Sequence, residues 1–299
     1  MKTQSDKNFL RGVISALPTP FYKGEVDFDS LEKLIHFQLE KGIGGFVVNG
    51  TTAESPTLNE SEVQKIFERV QKINNGRVPL ILGTGSNSTE ITIAQTKKAS
   101  KLGADAALVV VPYYNKPPQR GLELHFSSVA DNAAIPTLLY NVPGRTITGM
   151  TVETIAHLSA HKNIVGIKEA TGDIAFDEKL KAALPKDFIF LSGDDSTYLS
   201  FLKLGGDGII SVMSNLLTAA NVRWTQLAQS GNHDEAQDDF AKYKELIQLM
   251  YVEANPIPLK WMLHKIGLFR SPEARLPLVA LDEKFFAPIE KQLKSLGLV

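Results

Sequence analysis

The stretch IVGIKEATGDI, residues 164–174, places a lysine at the end of an apolar run. Ile164, Val165 and Ile167 lead to Lys168 without the polar alternation of a strand that has one face in water. Such a run is typical of a strand buried on both faces, as in a parallel sheet covered by helices. A lysine at its end either extends its ammonium to water or lies in a pocket, where desolvation makes it a nucleophile. The run alone favours the ordinary strand-end lysine.

Seven further runs of this kind recur along the chain, with amphipathic helical patterns between them. Eight βα units in about 225 residues predict an α/β fold, a (β/α)8 barrel of the TIM type. A doubly wound sheet would instead carry a glycine-rich phosphate turn after its first strand, and PTPFYKGE is not one. The eight predicted strands lie within GVISALPTPF (12–21), GGFVVNGTT (44–52), VPLILGTG (78–85), AALVVVPYY (106–114), IPTLLYNVP (135–143), IVGIKEAT (164–171), DFIFLSGDD (187–195) and DGIISVMSN (207–215).

Helical patterns begin with an Asp, Asn or Ser that can cap a helix, and Gly42 and Gly103 suit helix C-termini. From about residue 226 the helical patterns continue with no strands between them. The sequence therefore predicts a catalytic barrel over 1–225 and a C-terminal helical domain over 226–299. The clearest helical patterns in the barrel region are at 29–42, 59–74 and 88–103.

Composition and charge exclude several classes of function. The chain has 299 residues, 43% of them hydrophobic and 22% charged, which is enough for a full core. A net charge of -1 favours a small-molecule partner over nucleic acid or a membrane. The absence of cysteine removes disulfides, thiolate nucleophiles and cysteine-type zinc sites. With no signal-peptide core at the start and no apolar run of roughly 20 residues, we expect a cytoplasmic enzyme.

In a barrel of this type, the active site is built from the carboxyl ends of the strands and the loops after them. Lysine, tyrosine, threonine and arginine at these ends favour amine catalysis on an oxo-acid, because the amine forms an imine, hydroxyls pass protons and a guanidinium binds a carboxylate. No metal or cofactor is expected, since the six histidines fall mostly in helical segments and none forms H-E-x-x-H. The positions selected are Thr51, Thr52, Glu54, Tyr113, Tyr114, Tyr140, Arg145, Lys168, Gly193, Asp194, Asp195 and the neighbourhood of Ile210.

Most of these positions also have a purely structural explanation. For the two aspartates, helix N-capping is the favoured interpretation over catalysis. The occurrence of four such residues together argues against a purely structural role for all of them. These four are Thr51, Thr52, Tyr140 and Lys168. Tyr140 could cover the end of the barrel core with its hydroxyl bonded locally. The other structural alternatives are interface packing for Tyr113 and Tyr114, a surface ion pair for Arg145, and helix N-caps for Thr51, Thr52, Asp194 and Asp195.

Six motifs in order along the chain resemble the dihydrodipicolinate synthase family. These class I aldolases make 4-hydroxy-tetrahydrodipicolinate from pyruvate and aspartate semialdehyde in the biosynthesis of lysine and diaminopimelate. The resemblance covers essentially the whole chain, and six motifs at consistent spacing are specific where one would be weak. The motifs are GTTAES (50–55), PYYNKP (112–117), YNVPGRT (140–146), GIKEAT (166–171), SGDD (192–195) and NPIPLKW (255–261).

The resemblance implies catalytic roles for four residues. Lys168 would form the Schiff base with pyruvate and then the enamine. Tyr140 would relay protons to that intermediate through Thr51 and Tyr114, with Tyr114 reaching in from a neighbouring subunit. The implied assembly is a homo-oligomer, in most members a tetramer built as a dimer of dimers.

The resemblance also implies binding roles for four residues. Thr52 would bind the carboxylate of pyruvate, and Arg145 would bind that of aspartate semialdehyde at the pocket entrance. Gly193 and Ile210 would line the pocket through backbone groups. These roles agree with elementary chemistry, because two acids beside one lysine need donors or positive charge for each carboxylate.

Sister families with the same fold and lysine are the main alternatives. N-acetylneuraminate lyases usually carry serine first in the hydroxyl pair and lack the GRT arginine, whereas this chain has Thr51 and Arg145. Aldolases that act on a 2-keto-3-deoxy sugar acid are the closer alternative. A non-catalytic relative that binds pyruvate-like ligands is an alternative of another class, and the intact pair of Tyr140 and Lys168 argues against it.

The chain departs from the family pattern at several positions. Ala53 and Ile147 stand where glycine is usual, and Val111 replaces a threonine. In members regulated by lysine, a histidine is found in some at the position of Val63, and a glutamate that binds the inhibitor's ammonium at that of Ile91. Without this glutamate, the ammonium of lysine has no charge partner at residue 91, which weakens its binding. We therefore expect weak or absent inhibition by lysine.

Overall fold

The computed structural model of the chain describes residues 7–299 and divides into two compact units. The first unit extends to Ile14 and includes Gly44–Val47 and Val78–Ile210. The second unit consists of Ser15–Ile43, Val48–Arg77 and Ser211–Val299. Both units are assembled from separate stretches of chain, and the expected boundary after residue 225 falls inside a helix. The division into 1–225 and 226–299 therefore stays a prediction.

Eight parallel strands close into a barrel, in the order β1, β10, β9, β8, β7, β6, β5, β4. The predicted TIM barrel is confirmed. Each apolar run contains one barrel strand, which is shorter than the run because the residues after it form the loops. The strands are β1 Gly12–Ala16, β2 Phe21–Tyr22, β3 Glu25–Val26, β4 Gly45–Val48, β5 Leu80–Gly83, β6 Ala106–Val110, β7 Thr137–Asn141, β8 Ile164–Glu169, β9 Ile189–Ser192 and β10 Gly208–Ser211.

The first apolar run, 12–21, extends beyond its barrel strand into a small hairpin that follows β1. Strands β2 and β3 pair antiparallel, with Phe21 opposite Val26. The turn between them is Lys23 and Gly24, which have φ angles of 55° and 85°. Two successive positive φ angles suit the tight two-residue hairpin turn.

The predicted helices are confirmed, with one change of cap. Asn59 and Glu62 form a capping box at the start of the helix after the second barrel strand. Ser88 caps the next helix, and Gly103 ends it with φ 85°. The first helix is capped by Asp27 rather than by Asp29. The helices are α1 Phe28–Glu40, α2 Glu60–Asn74, α3 Thr89–Leu102, α4 Gln119–Asn132, α5 Pro143–Thr146, α6 Val152–Ser159, α7 Ile174–Ala183, α8 Tyr198–Lys203, α9 Thr218–Gln229, α10 His233–Ala241, α11 Lys244–Leu249, α12 Ile257–Lys265 and α13 Phe286–Ser295.

The core of the first unit lies between the strands and the helices that cover them. Strand residues such as Leu139, Ile167 and Phe190 pack there with helix residues such as Phe126 and Leu180. Ile167 points towards the covering helices, and successive side chains of a strand point to opposite faces. Lys168 therefore points into the barrel. Among residues 7–299, no helix has the length and apolar character that crossing a membrane requires.

Candidate functional site

Lys168 and Tyr140 lie side by side at the ends of neighbouring strands in the first unit. Strands β7 and β8 pair in a register that places Tyr140 opposite Lys168. The Nζ atom of Lys168 lies 4.3 Å from the centroid of the Tyr140 ring. Both side chains are buried, with 5% and 6% of their surfaces exposed. An amine therefore lies next to a phenol inside the barrel, which is the arrangement that imine chemistry with proton transfer needs.

Gly193, the residue after β9, leaves room for the aliphatic part of Lys168. Its amide donates a 2.6 Å hydrogen bond to the carbonyl of Glu169. A Cβ atom at residue 193 would lie 2.7 Å from Cε of Lys168 and 2.6 Å from Cβ of Ala170, which is closer than carbon atoms approach. Glycine is needed here because the lysine side chain occupies the space that a larger residue would fill.

Lys260 is the other lysine that is buried among residues 7–299, and its surroundings differ from those of Lys168. Its Nζ atom lies 2.5 Å from Oε1 of Glu54, and both side chains are fully buried. Burial lowers the pKa of Lys260 to about 8, although Glu54 opposes the shift. Lys168 forms no ion pair with a described residue, which leaves its amine available to a substrate. The chemistry therefore favours Lys168 as the nucleophile.

Arg145 and Tyr114 are exposed residues of the first unit. Arg145 is exposed on the short helix α5, which follows β7 directly. Tyr114 is 86% exposed, and its φ angle of 76° is unusual for a residue other than glycine. Tyr113 is 40% exposed. Within one chain, Tyr114 thus does not lie in the barrel interior beside Lys168.

Ile210 and Asp195 are buried, and Asp194 forms hydrogen bonds within its own turn. Ile210 is fully buried in β10. The Oδ1 atom of Asp194 accepts hydrogen bonds from the amides of Ser196 and Thr197, at 3.0 and 2.9 Å. Asp194 therefore orders the turn before α8 and is not the N-cap itself, a position that Thr197 occupies.

The hydroxyl pair belongs to the second unit, in a one-turn 3₁₀ helix over Thr51–Ala53. Thr52 is 2% exposed, and its Oγ1 accepts a 3.0 Å hydrogen bond from Nδ2 of Asn255. The carbonyl of Ala53 accepts a 2.8 Å bond from the hydroxyl of Thr19. Ala53 has a negative φ angle, so the methyl group that replaces the usual glycine hydrogen causes no left-handed strain.

A network of buried and partly buried charges follows the hydroxyl pair. The sequence selected Glu54 as a strand-end position but predicted none of its partners. Glu54 has a left-handed backbone, with φ 57°, and its Oε2 accepts a 2.9 Å bond from the amide of Arg275. Lys260 and Arg275 lie 4.2 and 4.3 Å from the centroid of the Phe21 ring. Arg275 also binds both carboxylate oxygens of Glu62, at 2.6 and 2.9 Å. The available signal was a lysine inside the apolar helix of NPIPLKW, because a buried lysine requires a partner.

A second group of buried carboxyls lies on the helix side of β8. Glu169 accepts hydrogen bonds from Nδ2 of Asn141 and from the amide of Thr171, at 2.8 and 2.6 Å. Burial still raises its pKa to about 7. Burial also raises the pKa of Asp177 to about 7, with Glu169 adding to the shift, and Oδ1 of Asp177 has no hydrogen-bond partner among the described residues. Both carboxyls are disfavoured as anions.

We expect Asp177→Asn to stabilise the protein at pH 8 by about 1 kcal/mol and to have little effect at pH 5. The folded pKa of Asp177 lies above its ordinary value of 3.8, so its stabilising contribution is present at low pH and is lost as the pH rises towards about 7. Asparagine has no carboxyl proton to lose, so the variant lacks this dependence of stability on pH. Urea denaturation at both pH values measures it, with exposed Asp238→Asn as control. Equal shifts at pH 5 and pH 8 would contradict the assignment.

The side chains of the described residues provide no metal centre. No group of three or more His, Asp or Glu residues among them has the geometry to hold an ion. His125, the most buried histidine described, has its Nδ1 atom 2.9 Å from the hydroxyl of Thr89, and burial lowers its pKa to about 4. It is a neutral core residue of α4.

The family pattern covers nearly the entire chain. The model of the Dihydrodipicolinate synthetase family matches residues 9–296. The chain belongs to this family. It is 50% identical to the 4-hydroxy-tetrahydrodipicolinate synthase of Bdellovibrio bacteriovorus over 293 residues, which is 98% of this chain and 100% of that protein. The family resemblance expected from the six motifs is confirmed.

Solved structures of family members have the same fold. The chloride-inhibited dihydrodipicolinate synthase of Acinetobacter baumannii, complexed with pyruvate, superimposes with a TM-score of 0.95 at 41% identity, over 97% of this chain and 100% of that one. The enzyme of Cyanidioschyzon merolae with lysine bound gives a TM-score of 0.93 at 40% identity, over 97% of this chain and 99% of that one. The expected weak response of this chain to lysine stays a prediction that depends on Val63 and on half-exposed Ile91.

Proposed function

We propose that this member of the dihydrodipicolinate synthetase family condenses pyruvate with L-aspartate 4-semialdehyde to give 4-hydroxy-tetrahydrodipicolinate. The observation that carries the proposal is the buried amine of Lys168 beside the ring of Tyr140, 4.3 Å away. The names of the most similar relatives support it. The pathway would be that of lysine and diaminopimelate, and the location would be the cytoplasm.

The reaction begins at the amine of Lys168. Its nitrogen attacks the keto carbon of pyruvate, and the keto oxygen leaves as water once two protons reach it. Loss of a proton from the pyruvate methyl group turns the imine into an enamine, which forms the new carbon–carbon bond with the aldehyde. The amino group of the semialdehyde then displaces Lys168 and closes the ring.

Tyr140 is the proton carrier for these steps, because its ring lies beside the reacting nitrogen. Thr51 and Tyr114 complete the proposed relay. Since Tyr114 is 86% exposed in one chain, its part in the relay needs a second copy. This exposure supports a homo-oligomer, and we propose the tetramer that the family pattern implies.

The proposed binding groups hold the two acids. The hydroxyl of Thr52 binds the carboxylate of pyruvate, and Gly193 and Ile210 line the pocket through their backbone. The guanidinium of Arg145 binds the carboxylate of the semialdehyde. No cofactor takes part in this scheme, because the imine itself stabilises the carbanion.

Reduction with borohydride in the presence of pyruvate tests the proposal. We expect a pyruvate adduct on the peptide that contains Lys168, together with rapid turnover of aspartate semialdehyde by the same preparation. An adduct with turnover of a 2-keto-3-deoxy sugar acid instead would favour the sister aldolase. Failure to form any adduct would favour a relative that binds pyruvate-like ligands without catalysis.

Replacing Arg145 with alanine is expected to lower kcat/KM for the semialdehyde by about 100-fold, because a charge-assisted bidentate contact is lost. Imine formation with pyruvate is expected to continue at the wild-type rate. Lysine at residue 145 should recover only part of the loss, since an ammonium cannot bind a carboxylate as a fork.

Steady-state kinetics with each substrate varied in turn separates the two effects of the Arg145 change. Exposed Arg120 on α4 provides the matched control, and Arg120→Ala should leave both parameters unchanged. Unaltered use of the semialdehyde by the Arg145 variants would remove this residue from the site.

A further inference from the structure

The hydroxyl of Thr52 is held by a side chain from outside its own loop. Nδ2 of Asn255 donates to Oγ1 of Thr52 over 3.0 Å, and the two residues are 6% and 2% exposed. Asn255 lies directly before the segment that begins α12, far from Thr52 in sequence. This contact lies wholly within the second unit.

The direction of this hydrogen bond decides what Thr52 can offer a ligand. A hydroxyl has one proton to donate and two lone pairs that accept. Because Oγ1 of Thr52 accepts from Asn255, its own proton is free to point elsewhere, and no described residue accepts it. A carboxylate can only accept, so a hydroxyl with a free proton is the group it needs.

The residues beside Thr52 are held as firmly as Thr52 itself. Thr19 binds the carbonyl of Ala53 at 2.8 Å, and the side chain of Glu54 is bound by Lys260 at 2.5 Å. Lys260 belongs to α12, so Asn255 and Lys260 anchor the hydroxyl loop from one segment. Because the two residues after Thr52 are both anchored, a shift of Thr52 to restore a lost contact would also have to break one of these bonds.

We infer that Asn255 is a positioning residue for pyruvate binding: its amide occupies the acceptor side of the Thr52 hydroxyl and so directs the hydroxyl proton to the substrate carboxylate. The inference rests on the proposed function, in which Thr52 binds pyruvate. Asn255 itself does not touch the reacting atoms in this scheme.

Two substitutions at residue 255 test the inference. Asn255→Ala removes the donor, and the half-saturating pyruvate concentration is expected to rise about tenfold. Asn255→Asp keeps the shape but replaces the donor with an acceptor, which turns the Thr52 proton away from the substrate. For this isosteric variant we expect a rise of at least about 30-fold at pH 8. In both variants kcat at saturating pyruvate should fall less than about threefold, since uniform binding is what is lost.

Borohydride trapping at increasing pyruvate concentration measures imine formation without the second substrate, and turnover gives KM and kcat separately. In a Thr52→Val background, Asn255→Ala should have no further effect on pyruvate, because the hydroxyl that it orients is gone. Gln38 is the matched control, since it is a fully buried amide of the same unit that binds Asn215 at 3.0 Å. Gln38→Met should lower stability and leave the pyruvate dependence unchanged.

The outcomes separate the inference from the proposed function. If the wild type forms the adduct and the Asn255 variants keep its pyruvate dependence, the inference is wrong and the proposed function stands. If kcat falls while KM holds, Asn255 serves another step and the inference is again wrong. A wild type that forms no adduct would overturn both.

Discussion

Lys168→Ala is expected to abolish the pyruvate adduct and to lower turnover by at least about 10⁴-fold, because no other group supplies the covalent step. The reason is chemical rather than structural. Alanine fits the space beside Gly193 and Tyr140, so the fold should persist. Lys168→Arg provides a second test, since a guanidinium keeps the positive charge and does not lose its proton to become a nucleophile.

Intact mass after borohydride reduction, followed by peptide mapping, measures the effect of the Lys168 changes. Exposed Lys179 on α7 is the matched control, and Lys179→Ala should keep both adduct and turnover. The informative contrary result is an adduct that survives in Lys168→Ala. Its mapping to Lys260, the other buried lysine, would transfer the nucleophile to the second unit.

Lys260→Met is expected to cost about 3 kcal/mol of the free energy of unfolding at pH 7, because it leaves the carboxylate of Glu54 buried without its cation. The pair is fully buried and joined at 2.5 Å. Burial lowers the pKa of Lys260 to about 8 despite Glu54, which shows that the desolvation of the lysine outweighs the attraction. The expected loss therefore reflects the stranded carboxylate rather than a strongly stabilising pair.

A double variant separates these two explanations for the Lys260 effect. Glu54→Gln combined with Lys260→Met removes both charges and keeps an acceptor for the Arg275 amide, so it should be at least about 2 kcal/mol more stable than Lys260→Met alone.

Urea denaturation gives these free energies, and an exposed ion pair supplies the comparison. Lys265 and Glu290 lie 2.7 Å apart, with side chains 38% and 37% exposed. Lys265→Met should change stability by less than about 0.5 kcal/mol, because water screens exposed charges. A loss below about 1 kcal/mol in Lys260→Met would show that Glu54 finds another partner.

The barrel was predictable because its signal is local. Each apolar run precedes a helical pattern, and burial on both faces removes the alternation of an exposed strand. Caps such as Asn59 and Ser88 are read from neighbouring residues and were correct to within a residue. The hairpin after β1 was missed, since its strands are two residues long and carry no periodicity.

The choice of Lys168 over other lysines followed from its place at a strand end together with the family motifs. The sequence predicted this residue and Tyr140 at the ends of consecutive barrel strands, where the active site of such a barrel is built. The register that places them opposite each other came from the structure. Gly193 was also predicted as a site residue, but only the structure shows why residue 193 is a glycine. Its missing Cβ makes room for the side chain of Lys168.

Only the tertiary structure decided the partners of residues that are distant along the chain. Asn255 contacts Thr52 across 203 positions, and Lys260 contacts Glu54 across 206. Local sequence patterns do not predict such pairs, because a long-range hydrogen bond or ion pair forms only where the tertiary fold brings the two side chains together. The same holds for the pKa of Glu169, which is raised by burial among residues from other elements. The sequence by itself thus determined the barrel and the residue that we propose as its nucleophile. The packing of remote segments determined the hydrogen bond to Thr52 and the pairing of buried charges.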